Sequence, residues 1–157
     1  MRKSKSVLPT SFAPTFPDLN WLDIDHKAWV DVTSEEQGYP VESALRAERR
    51  GWRAANPGLQ RIRVMFHEPQ RLRRIWLVFE DTENTRTQEF VLRWLPVSGY
   101  FFREIVRQQW NFSSPDSVRE IEDYTVDLSD VHVLELLISP DKKDSEARAS
   151  LLSFRLA

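Results

Sequence analysis

The chain has 157 residues, with 22 basic against 24 acidic side chains, a formal net charge of −2 and no cysteine. That length serves one domain with a core of its own, and the missing thiols exclude disulfides and thiolate metal sites, which suits a reducing, cytoplasmic setting. The small net charge and five lysines argue against a nucleic-acid binder.

The N-terminus, MRKSKSVLPTSFAPTF, is basic like a signal peptide, but Ser11, Pro14 and Pro17 interrupt the apolar run that should follow. No stretch approaches the ~20 apolar residues that span a bilayer, so no membrane partner is expected. Residues 1–28 are expected to form an extended arm that packs on the domain at its end, because NWLDIDHKAWVDV brings Trp21, Leu22, Ile24, Trp29 and Val30. Residues 29–157 form the domain. Leu45 to Trp52 suits a helical turn or an arginine-rich loop, and AANPG at 54–58 is a loop.

From there the period is two. In QRIRVMFHEP, Ile62, Val64 and Phe66 alternate with Arg61, Arg63 and Met65, as in a half-buried antiparallel strand. A short turn at Glu68 to Gln70 is predicted to separate it from RRIWLVFE, which carries Ile75, Leu77 and Phe79 on one face. EDTENTRTQ, 80–88, is a polar loop. EFVLRWLP then places Phe90, Leu92 and Trp94 on one face, and DYTVDL, VHVLELLIS and ASLLSFRLA complete at least seven strand candidates. Many short strands with polar turns predict an all-β, antiparallel β-sandwich or barrel.

The order of these segments resembles the discoidin domain, the coagulation-factor C-type domain of the galactose-binding-like jelly-roll superfamily. SEEQGYPVESAL leading to GWRAANPGLQRIRVMF is similar to that family's opening strand, its loop reaching a Trp and the next strand. PQRLRRIWLVFE with TQEFVLRW is similar to its central pair. EIEDYTVDLSDVHVLELLISPD with ASLLSFRLA is similar to its closing strands. The resemblance covers roughly residues 30–157. It implies a jelly roll and a non-catalytic binding module, with carbohydrate as the leading partner and an intracellular protein-interaction or scaffold role as the alternative. Where calcium-binding members carry an Asp-Gly-Asp type loop, ALRAERRGW offers arginines, which are poor ligands for a hard cation, so no metal or cofactor is carried over. Sugar-binding members often place an Arg and an Asn between the central strands, and this chain has Glu80, Asn84 and Arg86 there.

Two stretches attract attention as ligand-binding sites. In REIVRQQWNF, the even positions Phe102, Glu104, Val106, Gln108, Trp110 and Phe112 are expected to face the core. Arg103, Arg107, Gln109 and Asn111 then form an open row near Trp110. Planar amide and guanidinium groups fix vicinal hydroxyls while an aromatic plane covers a sugar face; equally, the row could pair with acidic neighbours and hold strands in register. Trp52 with Arg53 lies in a loop where sandwich domains bind ligands, although a Trp also suits the core. With Glu80 and Arg86 the candidate set is Trp52, Arg53, Glu80, Arg86, Arg107, Gln109, Trp110 and Asn111.

Other features carry less. Glu80, Asp81 and Glu83 read as a solvated loop rather than a catalytic pair, and His26, His67 and His132 are too dispersed to suggest a metal site. No phosphate loop, nucleophile elbow or HExxH motif is present, so no catalytic residue is assigned. Residues 46–74 hold nine arginines against Glu48 and Glu68, whereas 116–146 hold ten acids against Arg119, Lys142 and Lys143. This asymmetry is either complementary across one sheet or an outward-facing surface for an acidic partner.

Overall fold

The computed structural model describes residues 21–46 and 48–157; most of the expected arm, residues 1–20, lies outside them. The elements are α1 (Ile24–Lys27), β1 (Ala28–Val32), α2 (Val41–Leu45), β2 (Trp52–Arg53), β3 (Gln60–Glu80), β4 (Arg86–Pro96), β5 (Arg103–Phe112), β6 (Arg119–Ser139), β7 (Ser150–Leu151) and β8 (Ser153–Leu156). Among the described residues no helix is long and apolar enough to cross a membrane. Leu22 donates its N–H to Leu156 O at 2.7 Å, and Ile24 and Ala28 enter the core.

The two predicted strands on either side of Glu68 to Gln70 are one continuous strand, β3, and DYTVDL and VHVLELLIS are likewise one strand, β6. They pair antiparallel along their lengths, from Gln60 opposite Ile138 to Glu80 opposite Arg119, with register shifts between Met65 and Arg74. Glu68 to Gln70, read from sequence as a short turn, fall among these irregular positions, where the ribbon bends and the pairing continues.

The bend puts the two halves of each long strand into two layers. One layer runs β1, the first half of β3, the second half of β6, β4 and β5. The other holds β8, the second half of β3 and the first half of β6. Ile62, Val64, Phe66, Phe90, Leu92, Leu134, Leu136 and Ile138 of the first layer are buried, as are Leu72, Ile75, Leu77 and Phe79 of the second. The rings of Phe79 and Phe90 stack across the gap with centroids 5.3 Å apart, a contact worth about 1 kcal/mol beyond its area.

The predicted opening strand, SEEQGYPVESAL, is instead a turn followed by α2; strand β1 comes earlier, at the expected boundary between arm and domain. Val41, the first residue of α2, donates its N–H to Glu35 Oε2 at 2.6 Å, which satisfies one of the free donors of the helix start.

Part of the charge asymmetry resolves into pairing across the β3–β6 ribbon. Arg71 meets Asp127 at 2.9 Å, Arg74 meets Asp123 at 2.8 Å, and Arg63 donates to Glu135 at 2.6 Å. On the outer face of the first layer the cross-strand register makes a transverse row, Asp31, Arg63, Glu135, Arg93 and Glu104, with signs alternating over five strands. Glu135, at its centre, is fully buried beneath Arg63 and Arg93, whose guanidiniums lie 5.6 and 4.7 Å from the Phe102 ring.

Candidate functional site

Gly51 begins the site. It sits at φ +65°, and a side chain there would lie 2.5 Å from Leu151 O, so only glycine lets β2 approach β7 this closely. Trp52 pairs with Leu151 and Arg53 with Ser150, and Ala54 donates its N–H to Ala149 O. Trp52 is buried and anchored, its Nε1 donating to Ser34 O at 3.0 Å. With the Trp fixed inward, alternation points Arg53 outward, where its guanidinium lies 4.1 Å from the Tyr39 ring.

Facing this ribbon is the β3–β4 loop. Asp81 shapes it by accepting the N–H groups of Glu83 and Asn84, both at 3.0 Å, and Arg86 Nε at 2.6 Å. Burial alone would raise the Asp81 carboxyl, but these hydrogen bonds outweigh it and hold its pKa below the usual carboxylate range. Arg86 also donates to Pro140 O at 2.8 Å and Gln88 Oε1 at 3.1 Å, with Phe112 beneath its guanidinium. Glu80 is held by Arg119 at 2.6 Å.

Between ribbon and loop lies an open cleft of about 280 Å³, lined by Glu36, Arg53 and Arg148 on the ribbon side, by Glu80 to Asn84 on the loop side, and by Arg86. Arg53, Arg148, Glu36 and Glu83 form no ion pair among the described residues. Glu80 and Asp81, by contrast, are already neutralised by arginines. The cleft therefore offers unengaged guanidinium donors on one side and carboxylate, amide and hydroxyl groups on the other. Among the described residues no group of three acidic or histidine side chains could hold a metal ion.

No family model and no curated protein matches the sequence. Solved structures do match. The CBM32 of AlyQ, in complex with 4,5-unsaturated mannuronic acid, superposes with a TM-score of 0.62 at 11% identity, over 88% of this chain and 98% of that one. The family 32 CBM from C. perfringens NanJ, in complex with galactose, gives 0.60 at 14% identity, over 87% and 96%. The chain has the galactose-binding-like jelly-roll fold. Reduced XRCC1 bound to the DNA pol beta catalytic domain shares it, with a TM-score of 0.57 at 12% identity, over 83% of this chain and 96% of that one.

Within the jelly roll the predicted site residues separate into four places. Arg53 and Glu80 line the cleft, and Arg86 is buried at its base, supporting the loop. Trp52 is corrected to a core residue: its whole surface is covered, so it presents nothing to a ligand. Arg107, Gln109 and Asn111 lie on the outer face of edge strand β5 opposite Val91, Glu89 and Thr87. They are engaged there. Arg107 pairs with Glu104 at 3.0 Å and Glu89 at 3.3 Å, Gln109 donates to Glu89 at 3.5 Å, and Asn111 accepts from Thr87 Oγ1 at 2.8 Å.

Trp110 is on the opposite face, beside Gln88 and Phe112, and cannot join that row. Arg107 pairs with β4 and with its own strand rather than with the acidic segment. The parity of the strand also changes. Leu92 faces Val106 but Arg93 faces Glu104, so Ile105 is an extra residue. It turns Glu104 outward, Arg103 toward Trp94, and Phe102 onto the outer charges. Glu36 and Arg148 were not singled out by sequence, since each sits in an ordinary polar turn far from the other lining residues.

Proposed function

We propose that this jelly roll is a non-catalytic module that binds carbohydrate in the cleft between the β2–β7 ribbon and the β3–β4 loop. The observation that carries this reading is the convergence of Arg53, Arg148, Glu36 and Glu83, unspent on internal ion pairs, around a cleft whose shape is set by Gly51, Trp52 and Asp81. Such planar, bidentate groups suit vicinal hydroxyls. The arginine-bound state of Asp81, whose pKa is held below the usual carboxylate range, favours binding over acid–base work, because that carboxyl is not poised to carry a proton. The resemblance in fold to sugar-bound modules supports the reading by analogy.

The test is titration of the folded protein with a broad glycan panel. Arg53→Ala is expected to weaken binding about tenfold, the loss of one charge-assisted hydrogen bond, with an unchanged melting temperature. Failure of every glycan to bind the folded protein would overturn it.

A protein-binding role is favoured by a separate observation. Trp29, Met65, Val133 and Leu95 stand in one transverse row on the outer face of the first layer. The loop after β4 adds Val97, Tyr100 and Phe101; Trp29, Tyr100 and Phe101 are 65%, 92% and 83% exposed. Apolar strips of this kind are covered by partners. On this reading the protein self-associates at micromolar concentration in sedimentation, and Tyr100→Ser with Phe101→Ser restores the monomer; a wild type that stays monomeric at all concentrations counts against a second copy as that partner.

A further inference from the structure

The cleft proposed to bind carbohydrate has two unlike walls, and, granted that reading, the difference bears on which sugar it takes. Described arginines elsewhere in the sandwich commonly face carboxylates, as Arg63, Arg71, Arg74, Arg86, Arg93 and Arg119 do. Around the ribbon wall this pattern stops. Arg50, Arg53 and Arg148 are exposed and none pairs with a carboxylate of the described residues. Arg50 donates only to Gly38 O and lies 5.8 Å from the Tyr39 ring, while Arg53 packs closer to the same ring at 4.1 Å. Glu36, whose N–H donates to Arg53 O, is the acid lining that wall. Positive charge therefore predominates there.

The loop wall is the reverse. Arg119 and Arg86 neutralise Glu80 and Asp81, and Thr82, Glu83 and Asn84 remain as hydroxyl, carboxylate and amide groups. A neutral sugar could hydrogen-bond to both walls but would leave the charge of the guanidiniums without a counter-charge. A sugar carrying a carboxylate on one side of its ring and hydroxyls on the other satisfies both, with the planar fork of arginine matched to the carboxylate. At about 280 Å³ the cleft lies just below the range of pockets for drug-sized ligands, a space suited to one ring.

We propose that the cleft holds a hexuronate residue, with its carboxylate on the Arg53 and Arg148 wall and its hydroxyls on the Thr82 to Asn84 wall. The probes are oligogalacturonate and oligomannuronate beside the neutral galacto- and manno-oligosaccharides of equal length, titrated calorimetrically at low and high sodium chloride.

The expected result is that a uronate binds about tenfold more tightly than its neutral counterpart. The preference should shrink as salt screens the exposed charges. Arg148→Gln should remove the preference while the weaker affinity for the neutral sugar persists, a readout that a merely structural role for Arg148 would not give. Equal or tighter binding of the neutral sugars overturns the hexuronate assignment and leaves the carbohydrate reading standing. A uronate preference that survives Arg148→Gln and Arg53→Gln together also overturns it. Binding of neither class overturns both.

Discussion

Replacing Glu135 by alanine is expected to destabilise the fold by about 3 kcal/mol, the cost of removing one partner from a buried ion pair. Glu135 is fully buried although it points to the outer face, because Arg63, Arg93 and Phe102 close over it. Its two oxygens divide between Arg63, at 2.6 Å, and Arg93, at 2.5 Å. Removing the carboxylate brings two guanidiniums to one site without the anion that joins them. Glu135→Gln keeps the shape and loses only the charge, so it separates electrostatics from packing. The control is Asp127→Ala, which breaks the solvent-exposed pair with Arg71 and is expected to change stability by less than about 1 kcal/mol. Urea unfolding of the three variants checks this; equal midpoints for Glu135→Gln and wild type would show that the row of alternating charge contributes nothing.

The second large effect concerns Glu120, which lies between the layers opposite Phe79 with Gln88 donating to its Oε1 at 3.2 Å. Burial first, and then the neighbouring Glu122, push its pKa up to about 10. The folded protein thus keeps this proton at neutral pH, whereas the unfolded chain releases it above about 4.5. The unfolded state therefore binds fewer protons throughout that window. The stability associated with Glu120 is complete below about pH 4.5 and is lost as pH rises toward 10, by about 1 kcal/mol per pH unit. Glu120→Gln, neutral at every pH, is expected to flatten this dependence. Denaturation midpoints measured between about pH 5 and pH 9, inside that window, decide the matter: parallel curves for variant and wild type would place the proton elsewhere.

The alternation of Ile62, Val64 and Phe66, and of Phe90, Leu92 and Trp94, made the core faces legible in the sequence, because a half-buried strand leaves a period of two in its residues. The continuity of β3 was not legible. The segment Glu68 to Gln70 looks the same in a short turn and at a bend where pairing continues. The extra residue at Ile105 was hidden for a similar reason: nothing in REIVRQQWNF distinguishes a bulged strand from a regular one, so the facing of Phe102, Arg103 and Glu104 came out reversed. The cleft was legible only in pieces. Arg53 and Glu80 could be named, but Glu36 joins them through its N–H on Arg53 O and Arg148 through the β2–β7 pairing, which brings together residues almost a hundred positions apart, and neither leaves a local pattern.

The bent ribbon of β3 and β6 has a consequence for how the protein is made. Each of these strands belongs to both layers, and residue 60 lies beside residue 138. No cut in the chain can release one layer as a fragment that folds alone. During synthesis β3 emerges before β6, the strand that completes either layer, so the sandwich closes only after β6 has followed it, in the slower regime of non-local β topologies. Until then the apolar faces of β3 and β4 stand uncovered, and this nascent interval is when the chain is most exposed to aggregation.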